Sequence, residues 1–319
     1  MRRQGGVALI MVLLVVALVT VVCAGLVLRQ QLAIRSTGNQ LLVRQAQYYA
    51  EGGERLAMAV LRRDLRQGNP SQPLDFLGEA WARPRLSFPL DGGGELHLHI
   101  DDLSGRFNLN SLKSGGEDNV AVQRFQRLLL SLGIVQPYAE RLQDWLDSDQ
   151  DPVSSNGAED DQYLLLAPAY RTGPGLIVEV SELRLLLGMS DADFRRLQPF
   201  VSALPVEVGL NVNTASAQVL ASLAPGVEPR SLGAVLAMQR REGFRNFDEF
   251  KQLFTADAVA SGLVFGSQYF QVTTEVLLGD RRQVLVSYLQ RGKDGRVRVL
   301  ARDLGQDGLV PLPAKESEE

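Results

Sequence analysis

The feature that most constrains this chain lies at its start. From Val7 to Leu28 there are 22 residues without a charge. As a helix, at about 1.5 Å per residue, such a run is roughly 33 Å long, enough to cross a bilayer core. Arg2 and Arg3 precede it, which predicts a short N-terminus on the cytoplasmic side and the bulk of the chain on the other. Three kinds of segment begin this way. A cleaved secretory signal has a shorter apolar region followed by a small-x-small site, whereas here the run passes directly into Arg29-Gln30-Gln31-Leu32. A lipoprotein signal would use Cys23, the sole cysteine, but Val22 stands where a small residue is needed. The third is a short basic leader ending in glycine, cut before an apolar run that is retained.

The third reading fits best. The stretch resembles the type IV pilin and pseudopilin family, with Gly6 as the last leader residue and Val7 as the first mature one. The resemblance implies cleavage between Gly6 and Val7 by a prepilin peptidase and N-methylation of Val7. Most of that family carries Glu at mature position five; here it is Met11. The resemblance implies that this carboxylate pairs with a neighbouring subunit's terminal amine, and a buried charge is tolerable only with such a partner. A subunit without it suits the end of a filament.

Beyond the anchor, Leu42, Ala46, Tyr49, Gly53, Leu56 and Val60 recur at helical spacing, while Arg44, Glu51, Arg55 and Arg62 lie off that line. The stripe is predicted to pack on the stalk helices of partner subunits. Gly68-Asn69-Pro70 is the expected helix end. Alternation predicts strands at Glu95–Asp101, Tyr269–Val276, Gln283–Leu289 and Arg296–Arg302, with hairpin signals at Gly279-Asp280 and Asp294-Gly295. His97 and His99, the only histidines, fall on one face of the first strand, predicted to be solvated. Between the strands the chain reads as helical, with segments at Val122–Leu130, Glu182–Leu187 and Asp191–Val201 and N-cap signals at Ser190 and in Asn213–Ser216.

The predicted fold is therefore α+β: a long N-terminal helix on an antiparallel, pilin-like sheet, with a large inserted all-α domain. The divisions are a leader (1–6), a transmembrane part (7–28), a first pilin-like part (29–114), the insertion (115–265), the closing strands (266–305) and a tail (306–319). The whole pattern resembles the K-type minor pseudopilins of type II secretion systems. Its carriers are the leader lacking the acid, Ser104-Gly105-Arg106-Phe107-Asn108-Leu109-Asn110, Asp144-Trp145-Leu146-Asp147-Ser148-Asp149, Gly157-Ala158-Glu159-Asp160, Leu210-Asn211-Val212-Asn213-Thr214-Ala215 and the last strands. The resemblance implies a non-catalytic, single-pass inner-membrane subunit with a periplasmic domain. It also implies other minor pseudopilins as partners, a place at the pseudopilus tip, and a role in initiating assembly.

Seven carboxylates lie within eighteen residues: Asp144, Asp147, Asp149, Asp151, Glu159, Asp160 and Asp161. They should repel unless solvated or neutralised, and hard oxygen ligands at this density suit Ca²⁺. Asp147-x-Asp149-x-Asp151 begins like an EF-hand, but Pro152 and Ala158 stand where that loop needs Gly and Glu. The favoured ligands are Asp147, Asp149, Glu159 and Asp160, with Asp144, Asp151 and Asp161 as further candidates; calcium is also what the resemblance implies. Asp144, beside Trp145, is read as structural. An exposed acidic loop is the alternative.

A rival function comes from residues 210–250, which resemble the helix-hairpin-helix modules of membrane-anchored competence DNA receptors. Such hairpins bind DNA through backbone amides at a Gly-x-Gly turn and nearby basic side chains. Here the turn is Gly226-Val227-Glu228, and from Asn211 to Thr255 the basic Arg230, Arg240, Arg241, Arg245 and Lys251 are balanced by Glu228, Glu242, Asp248 and Glu249. The net charge of -4 also argues against a nucleic-acid partner.

Overall fold

A computed structural model describes residues 5–69, 72–84, 86–91, 93–113, 119–173, 175–279 and 281–305. Arg2, Arg3, Pro70, Asp280 and the tail from 306 onward lie outside them, and Gly6 and Val7 are placed only as helical backbone. Helix α1 runs Gly5–Gln67 without a break. It stops where Gly68 N–H bonds Asp64 O, at the predicted glycine. The apolar side chains from Leu9 to Leu28 are exposed, and α1 is the one helix among the described residues long and apolar enough to cross a membrane.

The second half of α1 lies on a five-stranded antiparallel sheet. Its strands are β1 (Leu86–Pro89), β2 (Gly94–Asp102), β7 (Tyr269–Leu278), β8 (Arg281–Arg291) and β9 (Val297–Asp303), in the order β1-β2-β7-β8-β9. Period-two alternation sends Leu96, Leu98 and Ile100 of β2 toward α1, where they meet Ala46, Ala50, Ala57 and Leu61. The small residues of that helix face permit a close approach. A Cβ on Gly53 would sit 2.5 Å from Thr274 Cγ2, so helix and strand are already in contact there. Glu54, 2% exposed, is held against the sheet by Ser287 Oγ at 2.7 Å and by both ends of the Arg302 guanidinium at 2.7 and 2.8 Å.

This geometry corrects the reading of the stalk stripe. Ala46 and Gly53 are covered by the chain's own sheet, and Leu42, Tyr49 and Val60 pack partly against the same core. Leu56 is half-exposed. The stripe was sound as a periodicity, but its main occupant is intramolecular; Leu32, Ile34, Leu41 and Tyr48 carry the exposed apolar surface below and beside it. The histidine face also differs from expectation. His97 and His99 do share a face of β2, yet His97 is buried, with Glu95 at 3.2 Å, and His99 pairs with Asp101 at 3.0 Å.

Between β2 and β7 the chain builds a helical layer with its own core. It contains α2 (Val120–Ser131), α3 (Tyr138–Leu146), α4 (Asp160–Tyr163), α5 (Asp191–Leu197), α6 (Ala217–Ala221), α7 (Gly233–Arg241) and α8 (Phe247–Leu253). Two parallel two-residue pairings are interleaved, β3 (Phe107–Asn108) with β4 (Val201–Ser202) and β5 (Leu210–Asn211) with β6 (Leu263–Val264). Phe107, Phe125, Trp145, Tyr163, Phe244 and Phe250 anchor the core. The segment predicted as one helix from Asp191 to Val201 ends sooner. Pro199 removes a backbone donor, so α5 gives way to a 3₁₀ turn at Gln198–Phe200 and then to β4. Glu182–Leu187, likewise read as helical, lies mostly in a 3₁₀ segment, Val180–Leu185.

Candidate functional site

The acidic cluster forms where α3 runs out. Asp144 is on its last turn, and Asp147 follows as an extended C-cap residue. The chain loops outward and returns at Glu159, which precedes α4. Asp144 shapes that loop, accepting hydrogen bonds from Val153 N at 2.9 Å and Ala158 N at 2.7 Å. Gly157 is required beneath it, because a Cβ there would lie 2.0 Å from Asp144 Oδ2. The return thus brings carboxylate oxygens of Asp144, Asp147 and Glu159 within 4.8 Å of one another.

These groups are poorly neutralised by the protein. Glu159 is 2% exposed and neither carboxylate oxygen has a hydrogen-bond partner; Asp147 Oδ1 is buried and likewise unpartnered. Burial first, and then the charges of Asp144, Asp147, Asp149 and Asp160, push Glu159 up to about 7. Burial also raises Asp147 and Asp144, with Asp149 the leading charge against each. Buried polar atoms almost always find partners, so unsatisfied anionic oxygens converging from two segments are the arrangement a divalent cation would complete. The donors are all carboxylate oxygens, the chemistry of a hard cation and not of a thiophilic one.

The other acidic candidates are placed differently. Asp149 is exposed and its Oδ1 accepts from Asp151 N at 3.0 Å; Asp151 is exposed too. Asp161 is exposed, with Oδ1 on Gln162 N at 2.9 Å. Asp160, placed among the favoured ligands from the sequence, turns away from the triad: Arg171 Nη1, Thr172 N and Thr172 Oγ1 hold it at 2.9, 2.9 and 3.0 Å. Those partners, led by the Thr172 N–H, hold its carboxyl below the usual range. Asp144, read as structural, is both: it ties the loop and contributes an oxygen to the triad. Sequence spacing could not separate Asp160 from Glu159, because the two are adjacent and the start of α4 sends them opposite ways.

A second set of polar residues fastens the helical layer to the sheet, and its chemistry explains two of the sequence motifs. Asn108 Oδ1 accepts from Leu204 N and Asn110 N, and Asn110 Nδ2 donates to Ile177 O and Leu204 O, each at 2.8 Å. Asn211 Nδ2 donates to Asp75 O, Asp102 Oδ2 and Ser267 Oγ at 3.0, 3.0 and 2.8 Å. Asn213 bridges Phe244 and Phe265 through its amide. Gly105 is close-packed on Thr214, whose hydroxyl donates to Asp102. No motif or periodicity in the sequence marks Asp75, Asp102, Ser267 or Arg291. Each falls in an ordinary-looking segment, and only the fold brings them together.

The hairpin region has its own constraints. Gly226 adopts φ +73° at the predicted turn, but basic side chains nearby are engaged: Arg230 pairs with Glu228 and Arg241 with Glu242, while Lys251 Nζ donates to Ala256 O. Phe244, Phe250 and Phe254 of this region are core residues.

A membrane-length stalk helix seated on an antiparallel sheet, with a bulky helical layer inserted between its strands, defines a pilin-like membrane-anchored subunit. Comparison narrows the class. Two family models, both for type II secretion system (T2SS), protein K, match residues 105–206 and 210–273. The chain is 58% identical to the type II secretion system protein K of Pseudomonas aeruginosa, over 98% of this chain and 96% of that one. It is 37% identical to that of Klebsiella pneumoniae, over 92% and 94%. Its fold matches a chain from the crystal structure of the GspK-GspI-GspJ complex of the enterotoxigenic Escherichia coli type 2 secretion system. The TM-score is 0.72 and the identity 25%, covering 85% of this chain and 99% of the other. The chain belongs to the type II secretion system protein K family, and is a minor pseudopilin with a single membrane anchor.

Proposed function

We propose that this minor pseudopilin sits at the tip of the pseudopilus, initiates its assembly with other minor pseudopilins, and has no catalytic role. The observation that carries this reading is the asymmetry of the molecule. The lower part of α1 offers an exposed apolar face for lateral packing, whereas the helical layer at the other end is a bulk that a subunit stacked above would have to avoid. Met11 agrees, since a subunit placed inside the fibre would be expected to supply a carboxylate there. The related Escherichia coli protein was solved in a complex with GspI and GspJ, which supports equivalent partners here. The anchor is read as inner-membrane with the sheet and helical layer in the periplasm, and the leader as cut by a prepilin peptidase at Gly6–Val7, with methylation of Val7.

In this reading the acidic site holds one Ca²⁺ through Asp144, Asp147 and Glu159, and the ion pins the loop after α3 to the start of α4. Asp149 is near enough in sequence to join by a loop adjustment; Asp160 is committed to Arg171 and Thr172. The DNA-receptor reading is the weaker one, because three of the five basic residues of the hairpin region, Arg230, Arg241 and Lys251, are already engaged by the chain's own carboxylates or carbonyls.

The deciding experiment is co-purification of the full chain in detergent with the other minor pseudopilins of its system. A stoichiometric complex that is lost on substituting Leu41 and Tyr48 with Glu supports the reading. Absence of any complex, or tight and salt-sensitive DNA binding in a filter assay, overturns it.

A further inference from the structure

A second group of carboxyls lies away from the acidic loop, at the upper end of the stalk. Asp64 is on the last turn of α1, and Asp75 and Glu79 are on the segment that leads from it toward the sheet. Their oxygens also lie within 4.8 Å of one another. Unlike the acidic loop, this cluster has a resident cation. Arg291, 2% exposed at the end of β8, places Nη2 2.6 Å from both oxygens of Asp75 and Nη1 3.0 Å from Asp64 Oδ2. Its remaining bonds go to Ser267 O and Leu61 O, and its guanidinium lies over the Phe270 ring.

The count of charges does not close. Arg291 is the cation among the residues lining the small cavity here, which is walled by Leu65, Gly68, Pro73 and Leu74. Facing it are three carboxyls. Behind Asp75, Ser267 donates its N–H to Asp75 and its hydroxyl to Asp102, so the next titratable group inward is a fourth acid and not a counter-charge. Arg291 is shared between two of the three: its Nη2 lies between both oxygens of Asp75, and its Nη1 is on Asp64 Oδ2. Asp64 and Glu79 both line that cavity, with carboxyl oxygens within 4.8 Å of one another, and Glu79 has no cation of its own among the lining residues. Two buried carboxylates at that separation repel, whereas a carboxylic acid can donate to a carboxylate. Glu79 Oε2 is occupied by Phe76 N at 3.1 Å and Trp81 Nε1 at 2.7 Å.

We infer that Asp64 and Glu79 share one proton, and that this shared proton latches the top of the stalk helix to the segment joining it to the sheet. Losing the proton leaves two like charges in contact and one guanidinium already engaged, which loosens the joint about which the stalk meets the globular part. Burial, and then the neighbouring acid in each case, push Asp64 up to about 6 and Glu79 up to about 7. For acids raised in the folded state, stability is greatest below the unfolded values and falls as pH rises toward the folded ones. The joint is therefore tight in mildly acidic surroundings and loosened above neutrality.

The test is thermal unfolding of the full chain in detergent at pH 5 and pH 8, with Glu79→Gln and Asp64→Asn beside the wild type. Glu79→Gln keeps an acceptor for Phe76 and Trp81 and gives Asp64 a permanent donor. It is expected to match the wild type at pH 5 and to melt ~3–5 °C higher at pH 8. Asp64→Asn removes the same repulsion from the other side and is expected to move in the same direction. In infrared titration the protonated-carboxyl band lost between pH 5 and 8 should be smaller in both variants than in the wild type, the remainder belonging to other raised acids such as Glu159. Parallel melting profiles across pH in all three proteins, or an unchanged carboxyl band in both variants, would overturn the inference. A purely structural role for Glu79 would make its variant uniformly less stable at both pH values, which also counts against it.

Discussion

Calcium should stabilise this protein, and should do so more strongly at pH 8 than at pH 5.5. In the metal-free chain Glu159 is raised from 4.5 to about 7 by burial and by four neighbouring acids. At about 1.4 kcal/mol per pH decade, that sets a ceiling of roughly 3 kcal/mol on what its charge costs the fold. The sign follows from the proton count: the folded state holds a proton that the unfolded state has released, so metal-free stability falls as pH rises toward 7. A cation at Asp144, Asp147 and Glu159 replaces that proton. At a hundredfold excess over its Kd it contributes about 2.7 kcal/mol, close to the cost it removes. For a folded part of this size, each kcal/mol moves Tm by about 2–4 °C, so saturation at pH 8 should raise Tm by roughly 5–10 °C. At pH 5.5 protons compete for Glu159 and the gain should shrink to a few degrees. The assay is scanning calorimetry of the full chain in detergent, with EDTA, Mg²⁺ or Ca²⁺ at each pH. A Tm indifferent to Ca²⁺ at pH 8 refutes the site. So does an undiminished Ca²⁺ shift in the Asp147→Asn, Glu159→Gln double variant.

Other outcomes can be checked with single substitutions. Gly157→Ala drives a methyl into Asp144 Oδ2 and should cost about 2–4 kcal/mol in Ca²⁺, read as the denaturation midpoint. Gly53→Val puts side-chain atoms where Thr274 already lies, and should lower stability by about 2–3 kcal/mol while leaving membrane insertion unchanged in fractionation. Asn211→Ala strips a donor from Asp102 and Ser267 and leaves a buried carboxyl short of partners. A loss of about 3 kcal/mol is expected, with earlier proteolysis between the helical layer and the sheet. Gly6→Leu should leave the leader uncut, visible as a slower-migrating band, and should abolish secretion.

How much of this was legible beforehand depended on whether the signal was periodic or purely spatial. The 22-residue apolar run, the stop at Gly68 and four of the sheet's strands follow from spacing, because a helix and a half-buried strand impose periods that survive in the residues themselves. Strand β1 escaped because it is four residues long and ends in Pro89. The acidic cluster was legible as a density of carboxylates but not as a particular set of convergent oxygens. Which oxygens converge is decided by one turn of α4 and by a glycine beneath Asp144, neither of which leaves a periodic trace. The stalk stripe shows the opposite error: its period was right, but a periodic apolar face does not say whether a neighbour or the chain itself will cover it.

The placement of polar groups bears on how a tip subunit can work at all. A helical layer inserted between β2 and β7 by two chain crossings would be free to swing if apolar contact were all that held it, since such contact is not directional. Instead the crossings are bolted. Asp102 closes one end of β2, Ser267 precedes β7, and Asn211 and Thr214 of the helical layer bond to both or to one of them. Through Ser267 the same network reaches Asp75 and Arg291, and through Arg291 it reaches Asp64 on the stalk. The chain of hydrogen bonds therefore runs from the helical layer to the membrane-anchored helix without passing through the apolar cores. Directional bonds of this kind fix an angle, and the angle between bulk and stalk is what a subunit must hold constant if it is to end a fibre and template the helices packed beside it.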